Sequence, residues 1–453
     1  MPKKYLFAIP FLVAAGVSVA HAADQNAAPA DTSVKDAATD KPGAKAGSNA
    51  KVAKKTAASA TALSIDAASA PAAAAGIAPE AATTTPDSKK SADVLAAPAN
   101  TVLAGQPMFK FGGFGTLGAS HSSMNLGDYV IDSDMPKGAG LSNDWAASNN
   151  VRVTAHVTAD LTPKVSAILQ VDSEYRSDGS YRPEVEWLNV KYALTPNAYV
   201  RVGRIALPTF MDSENRDVGY SYAWVNAPVD LYHQLSIPSS DGVEFMYRSE
   251  IGEAGNTVKA LFGTNTETSP NTESTSKDLW GVFDTIEYGP ATLHLSYQQR
   301  RSSILDLRTG ISSAWNNSRD LSVGASYDPG NWFVISEWVQ HRTTTKVDAM
   351  YVSGGYRINK FTPYILYSQN SPGSFPPGSP PPSAEAIGRA NRAQSTTGAG
   401  VRWDFMRYFD FKIQYDQVKL SDNSNGYLIN VPTGVILYGS KFHVISAVVD
   451  FVF

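Results

Sequence analysis

The chain has 453 residues, of which 43% are hydrophobic and 18% charged, a formal net charge of -4 and no cysteine. The missing cysteine excludes a disulfide scaffold, a cysteine-based zinc site and a thiol nucleophile. The near-neutral charge argues against general nucleic-acid binding. Beyond the N-terminal segment, no apolar run approaches the ~18 residues of a membrane-spanning helix. These features argue against a helical membrane protein and leave a membrane barrel open.

Residues 1–22 have the three parts of a secretory signal. Lys3 and Lys4 supply positive charge, an apolar run extends from Tyr5 to Ala20, and Ala20-His21-Ala22 has the small-x-small pattern of a cleavage site. A buried N-terminal helix is the alternative. We predict cleavage after Ala22 and export of the protein.

Residues 23–105 are rich in alanine and contain no Phe, Trp or Tyr. Without aromatic side chains the segment has little surface to bury, so burial does not offset the entropy lost on ordering. Alanine favours helix, but no sustained heptad pattern supports a coiled coil. We interpret 23–105 as a disordered periplasmic linker. The alternative is a tether that contacts the cell wall or a partner.

Residues 106–453 have the composition of strands, rich in Tyr, Trp, Phe, Val and Thr. Apolar and polar side chains alternate in many segments; for example, Val151 and Val153 alternate with Arg152 and Thr154. Most segments have about 10–12 residues, which exceeds the ~5–6 of globular strands and suits a tilted membrane crossing. Sixteen candidate strands fall at 109–118, 149–160, 164–174, 183–194, 197–206, 240–249, 255–265, 278–288, 290–300, 318–328, 330–340, 347–357, 360–369, 395–405, 407–420 and 441–453.

The connections between these strands alternate in length. Short ones that carry Pro, Gly or Asn lie at 161–163, 195–196, 289, 329 and 358–359, with Arg407 as a near-direct turn. Long ones lie at 119–148, 175–182, 207–239, 266–277, 301–317, 370–394 and 421–440, with one short exception at 341–346. A soluble sandwich gives the same strand alternation but has no reason to sort its loops. We therefore predict an all-β fold, an antiparallel transmembrane β-barrel of 16 strands with short periplasmic turns and long extracellular loops. A count of 14 or 18 strands remains open.

Several features together resemble the Gram-negative general porins. They are the signal, the glycine-rich first strand 109–115, the Val202-Gly203-Arg204 end of the fifth strand, and the terminal Phe453. The resemblance covers about 108–453. It implies a sixteen-stranded, usually trimeric channel in the outer membrane of a Gram-negative bacterium. It also implies that the third long loop folds into the lumen and narrows it.

By order along the chain, that constriction loop is 207–239. Its charged residues are predicted to face the pore, and they are Asp212, Glu214, Arg216, Asp217 and Asp230. A solvated surface loop is the alternative interpretation.

The opposing wall is predicted from strand alternation. The cations on the lumen face are Arg152, Lys191, Arg201, Arg357, Arg402 and Lys412. Arg204 is out of phase with Arg201 and needs a bulge or a loop start to point inward. An acidic loop facing a basic wall makes a transverse field, which orients dipolar solutes and discriminates ions weakly. Alternatively, these cations merely stay solvated and pair with wall carboxylates.

The sequence thus favours an outer-membrane porin for passive diffusion of small hydrophilic solutes and ions. A substrate-selective channel is one alternative, kept open by four loop aromatics, Tyr220, Tyr222, Trp224 and Tyr232. A barrel anchor or adhesin with a tethering tail is the other. No metal-binding, hydrolase or nucleotide motif is present, so we expect no enzyme activity and no cofactor. The expected partners are outer-membrane lipid, the diffusing solutes and, from the resemblance, two further copies in a homotrimer, but no nucleic acid.

Overall fold

The structure is a computed structural model that describes residues 108–453 apart from 133, 235–236, 375–390, 423, 436 and 438. The predicted signal at 1–22 and the linker at 23–105 lie outside the described residues. Both remain predictions.

Sixteen long antiparallel strands make up most of the described chain. In chain order they are β1 Met108–Ser122, β2 Val151–Thr162, β3 Val165–Glu174, β4 Glu184–Thr195, β5 Ala198–Ala206, β6 Ser239–Ile251, β7 Ala254–Thr268, β8 Thr272–Tyr288, β9 Ala291–Asp306, β10 Asn316–Tyr327, β11 Trp332–Arg342, β12 Lys346–Tyr356, β13 Phe361–Asn370, β14 Gln394–Met406, β15 Phe409–Leu420 and β16 Lys441–Val452. Two-residue strands in the connections are Asp128–Tyr129, Ala139–Gly140, Trp145–Ala146 and Ile311–Ser312.

The sheet closes on itself between its first and last long strands. Each long strand pairs with the next along the chain, and β1 also pairs with β16, where Phe114 lies opposite Val452. The backbone of Phe453 completes this seam through two 2.9 Å hydrogen bonds with Gly113. A closed barrel pairs the ladder groups that an open sheet leaves free at its edges, and hydrocarbon requires this.

The two faces of the barrel wall differ in chemistry. In the row across β4, β5 and β6, Lys191 lies opposite Arg201 and Arg201 opposite Glu244, so these three charges share the inner face. The next residues along two of these strands, Val190 and Val202, turn to the outer face and are about half exposed. An exposed apolar exterior around a polar interior is the pattern of a barrel in lipid.

Helical structure is sparse in the described residues. A 3-10 turn spans Gly219–Ser221 and one α-helical turn spans Val229–Tyr232, both within the connection between β5 and β6. None of the described helices is long and apolar enough to cross a membrane.

The predicted fold class and strand number are confirmed, but two predicted loops are wrong. Most of the loop expected at 301–317 is strand, because β9 runs to Asp306 and pairs there with Ile311–Ser312. The long connection expected at 266–277 is a tight hairpin, because β7 and β8 both extend and Thr268 lies opposite Glu273. A 2.8 Å backbone hydrogen bond from Ser269 to Thr272 closes the turn. The segment is rich in Thr and Ser, and β-branched Thr continues a pleated strand as readily as it forms a loop.

Candidate functional site

The connection between β5 and β6, residues 207–238, runs inside the barrel. Near its start, the Thr209 hydroxyl donates to the amide oxygen of Gln298 on β9 at 3.1 Å. Two residues later, the backbone N–H of Met211 donates to the carboxylate of Glu337 on β11 at 2.8 Å. Both wall residues are almost fully buried. Contacts with inner-face side chains on the opposite part of the barrel require that the loop crosses the lumen.

Apolar packing fixes one side of this inward loop. Trp224 stacks on Tyr222 at a centroid distance of 5.4 Å and meets Tyr351 of β12 edge-on at 6.0 Å. Trp224 is 3% exposed and Tyr222 is 6% exposed. These aromatic side chains therefore cover the wall instead of lining a water path. The buried cluster consists of Phe210, Tyr222, Trp224 and Leu231 from the loop with Ile335, Val339, Ala349, Tyr351, Tyr364 and Leu366 from the wall.

Two wall cations hold the loop backbone. Nη1 of Arg402 donates to the carbonyl oxygens of Tyr220 and Tyr222 at 2.6 and 2.7 Å. Nζ of Lys412 donates to the carbonyl oxygen of Gly219 at 2.6 Å. A Cβ atom at Gly219 would collide with the Asp450 carboxylate and lie 2.7 Å from the Thr116 hydroxyl, so a side chain does not fit at this close approach.

Buried carboxylates neutralise these two cations. Nζ of Lys412 lies 2.9 Å from Asp450, and Nη2 of Arg402 lies 3.1 Å from Asp410 and 2.8 Å from Asp404. The side chain of Lys412 is fully buried and that of Arg402 is 12% exposed. Both residues are on the inner face, as alternation predicted. Their observed contacts are with the loop, which covers them.

The acidic edge of the loop reaches the wall on the other side. Asp217 lies 2.7 Å from the Arg152 guanidinium of β2, and its own neighbour Arg216 lies 3.2 Å away. Arg152 also contacts Glu174 of β3. Burial alone would raise the pKa of Asp217, but the two arginines lower it to about 2. The side chains of Arg152 and Asp217 stay 21% and 16% exposed.

A second ion pair joins the loop to β7. Nζ of Lys259 lies 2.5 Å from the Glu214 carboxylate. Burial opposes ionisation of Glu214, but Lys259 holds its pKa below the usual range. Lys259 was not among the predicted wall cations. Strand alternation could have identified it, because Thr257, Lys259 and Leu261 alternate with Val258 and Ala260 and therefore share one face of β7.

Between these two ion pairs, the wall of β4 to β6 carries further charges. Nη1 of Arg201 lies 3.5 Å from the Glu244 carboxylate. Lys191 is exposed, and its Nζ lies 5.6 Å from the centroid of the Tyr199 ring. Glu186, which was not predicted, accepts a 2.7 Å hydrogen bond from Gln170. The ion pairs and these wall groups together border a charged, part-exposed strip along the inward loop.

The two remaining loop carboxylates differ from each other. Asp230 is fully buried and accepts 2.6 Å hydrogen bonds from Ser368 and Gln394. Burial also raises the pKa of Asp230. Because Asp230 is fully buried and bonded to two wall side chains, it anchors the loop and does not border the strip. Asp212 is partly exposed, and burial raises its pKa to about 6.

Two of the predicted wall cations, Arg204 and Arg357, do not lie beside the inward loop. Arg204 lies opposite Leu188, a half-exposed residue of the outer face, and forms a two-pronged ion pair with Asp241 at 2.8 and 3.0 Å. The expectation that Arg204 turns inward is wrong, because the register continues without a bulge from Arg201 to Arg204. Arg357 lies at the turn end, bound by Asp328 at 2.7 Å.

Comparison with known proteins gives a clear answer for the fold. No protein-family model and no curated relative matches the sequence. An anion-selective porin from Comamonas acidovorans matches with a TM-score of 0.50 at 12% identity, covering 77% of this chain and 100% of that chain. The fold is that of the outer-membrane porins.

Two further solved structures have TM-scores below 0.5. The trimer form of OmpT, an outer membrane protein of Vibrio cholerae, gives a TM-score of 0.49 at 13% identity over 77% of this chain and 100% of that chain. OmpF of Salmonella typhi in complex with daunomycin gives 0.46 at 12% identity over 76% and 97%. The match to the Comamonas acidovorans porin, at a TM-score of 0.50, confirms the predicted porin-type barrel of the outer membrane at the level of the fold.

Proposed function

We propose that this porin-type barrel is a passive channel for small hydrophilic solutes and ions across the outer membrane of a Gram-negative bacterium. A barrel of sixteen strands is wide enough to hold an aqueous lumen. The observation that carries the proposal is the part-exposed strip of charge beside the inward loop, with Arg152 and Asp217 at one end and Lys259 and Glu214 at the other. Solutes would move down their own gradients.

The arrangement of charge supports weak ion discrimination. At the strip, the loop contributes Glu214, Arg216 and Asp217, and the wall contributes cations from β2, β4, β5 and β7. Carboxylates and cations on opposite sides of a narrow water path create a transverse field. Such a field acts on ions and dipolar molecules without a dedicated binding pocket.

A substrate-selective channel with an aromatic constriction receives less support. Tyr222 and Trp224 are packed against the wall and exposed by less than a tenth. Tyr220 lies over the Arg402 guanidinium at 4.8 Å, which occupies one face of its ring. These aromatic rings pack against the protein, so charged groups line the part-exposed strip along the inward loop.

Single-channel recording in a planar bilayer tests the proposal. The refolded full chain should give large, ohmic conductance steps, and a salt gradient should give a small reversal potential. Glu214→Gln should shift that potential towards anions, because it removes a loop carboxylate beside the water path. Absence of conductance from a correctly folded barrel would contradict the proposal and favour the anchor or adhesin.

Asp230→Asn is the matched control. It also removes a loop carboxylate, but the carboxylate of Asp230 is buried against Ser368 and Gln394. The amide has a similar shape and still accepts one hydrogen bond. We expect the same reversal potential as in the parent protein. An equal shift in both variants would mean that the charge effect does not come from the strip.

A homotrimer and a cell-wall contact through 23–105 complete the proposal. Beside the seam the outer face carries Ala155, opposite Gly113, and Ala447, opposite Ala119, and these short side chains leave room for a second protomer. Cross-linking in native membranes should trap three chains. Truncation of 23–105 should release the protein from purified cell wall without loss of conductance.

A further inference from the structure

The outer surface of the barrel carries a row of cations at the end where the inward loop begins. They lie on five consecutive strands, β8 to β12, and we name them the cation strip. Its members are Lys277, Arg301, Arg319, Arg342 and Lys346.

The strand register places these like charges directly beside each other. Lys277 lies opposite Arg301, Arg319 lies opposite Arg342, and Arg342 lies opposite Lys346. Arg301 lies opposite Asn317, two residues from Arg319, which makes the two arginines diagonal neighbours. Directly opposed like charges destabilise a sheet. Three such pairs in one row therefore call for a source of negative charge.

The cation strip is on the outer face of the barrel, unlike the charged strip beside the inward loop. Arg319 stands between Ser318 and Asp320, which point inward and are each 3% exposed. Arg342 follows His341, whose ring contacts Asp320 on the inner face at 2.5 Å. Side chains alternate along a strand, so both arginines point away from the lumen, where both are exposed.

The protein itself neutralises only part of this charge. Arg301 pairs with Asp278, and Lys346 pairs with Asp348 at 3.2 Å. Lys277 lies 5.0 Å from the centroid of the Trp315 ring. Within the described part of the chain, Arg319 and Arg342 have no carboxylate at ion-pair distance. Five cations and two carboxylates leave the strip about three charges positive.

The height of the strip on the barrel identifies what covers it. On β10, Leu321 and Val323 follow Arg319 on the same face and are more than a third exposed. On β11, Trp338 precedes Arg342 on the same face and is 36% exposed. Cations directly above an apolar band that contains Trp stand at the level of lipid headgroups.

We propose that the cation strip binds the phosphates of an anionic membrane lipid in the leaflet at the loop end of the barrel. Arginine forms paired hydrogen bonds with phosphate oxygens. A headgroup that carries two phosphates matches the spread of the strip over several strands and its excess positive charge. The lipid contributes the negative charge that the row of opposed cations lacks.

Native mass spectrometry of the full chain in detergent micelles tests this proposal. The probes are lipid A with two phosphates, its monophosphoryl form and phosphatidylcholine. The unmodified protein should bind lipid A most tightly, and Arg319→Gln/Arg342→Gln should weaken that binding by about tenfold or more. Arg319→Lys/Arg342→Lys keeps both charges and should retain most of the affinity.

Arg204→Gln is the control, because it removes an outer-face arginine whose charge Asp241 already neutralises. It should leave lipid A binding unchanged. Equal affinity of the unmodified protein for lipid A and phosphatidylcholine would overturn the proposal, and this comparison stands even if the double variant fails to fold. Full displacement of lipid A by 10 mM inorganic phosphate would also overturn it, since the strip would then be a site for free anions.

Discussion

The guanidinium of Arg152 on β2 and the carboxylate of Asp217 in the inward loop lie 2.7 Å apart, and neither side chain is closed off from water. The pair therefore has two separable roles. As an ion pair it ties the loop to the wall, and as two part-exposed charges it shapes the field in the water path.

Opposite single substitutions separate these roles. Asp217→Asn leaves Arg152 in place and should shift the reversal potential towards anions, whereas Arg152→Gln should shift it towards cations. The measurement is the bilayer recording described above, with ionic strength held low because salt screens such charges. If the pair acts only as a tie, both variants will loosen the loop alike and change selectivity in the same direction.

The carboxyl group of Asp212 should make the channel sensitive to pH near 6. Burial raises its pKa to about 6, whereas the pKa of Asp217 is about 2 and that of His233 about 4, so Asp212 is the one of these three loop groups that titrates there. Between pH 7.5 and 5 the loop loses one negative charge, and the reversal potential should move towards anions. Asp212→Asn should make this step smaller.

The raised pKa of Asp212 also affects the stability of the folded protein. The folded protein holds the Asp212 proton more tightly than the unfolded chain does, so this group makes the folded state more stable as the pH falls from about 6 towards the unfolded value of about 4. Over that range the melting temperature of the parent should rise, relative to that of Asp212→Asn, as the pH falls. Parallel curves would contradict the raised pKa.

The buried Lys412–Asp450 pair should be strongly coupled. Lys412→Met leaves Asp450 buried without its cation and removes a hydrogen bond to Gly219, so we expect a loss of about 3–5 kcal/mol in the free energy of unfolding. Adding Asp450→Asn should recover part of this loss. A double-mutant cycle from denaturant titration measures the coupling, and additive effects would show that the two charges are independent.

Arg201 and Arg204 offer a test of which face carries the conduction path. They are three residues apart on β5, but Arg201 pairs with Glu244 inside the barrel and Arg204 with Asp241 outside it. Arg201→Gln should shift the reversal potential towards cations, and Arg204→Gln should leave it unchanged. A shift in the second variant would place Arg204 on the lumen side.

Strand alternation, a repeat of two that depends only on neighbouring residues, predicted the barrel together with the sorting of short and long connections. The same repeat placed Arg152, Lys191, Arg201, Arg402 and Lys412 on the inner face. By itself the repeat also puts Arg204 on the outer face. The prediction that Arg204 points inward was wrong because it assumed a bulge or a loop start, and the register continues unbroken to Arg204.

The contacts of the inward loop could not be predicted from the sequence. Arg402 and Lys412 follow the same pattern as Arg152, yet the first two are covered by Gly219 to Tyr222 of the loop. Which wall residues a 32-residue connection covers depends on its path through three dimensions, and no local repeat encodes that path. In the sequence, Asp230 cannot be told apart from the other acidic residues of the loop. Only its contacts with β13 and β14 identify it as an anchor.

The seam between Gly113 and Phe453 links the first long strand to the end of the last. Every other long pairing joins strands that are consecutive in the chain, so each can form as a local hairpin. The seam alone requires the whole barrel sequence to be present. Until the seam closes, β1 and β16 each keep one unpaired edge. A chaperone or insertion machinery that shields the edge of β1 during this interval would protect the protein at its most aggregation-prone stage.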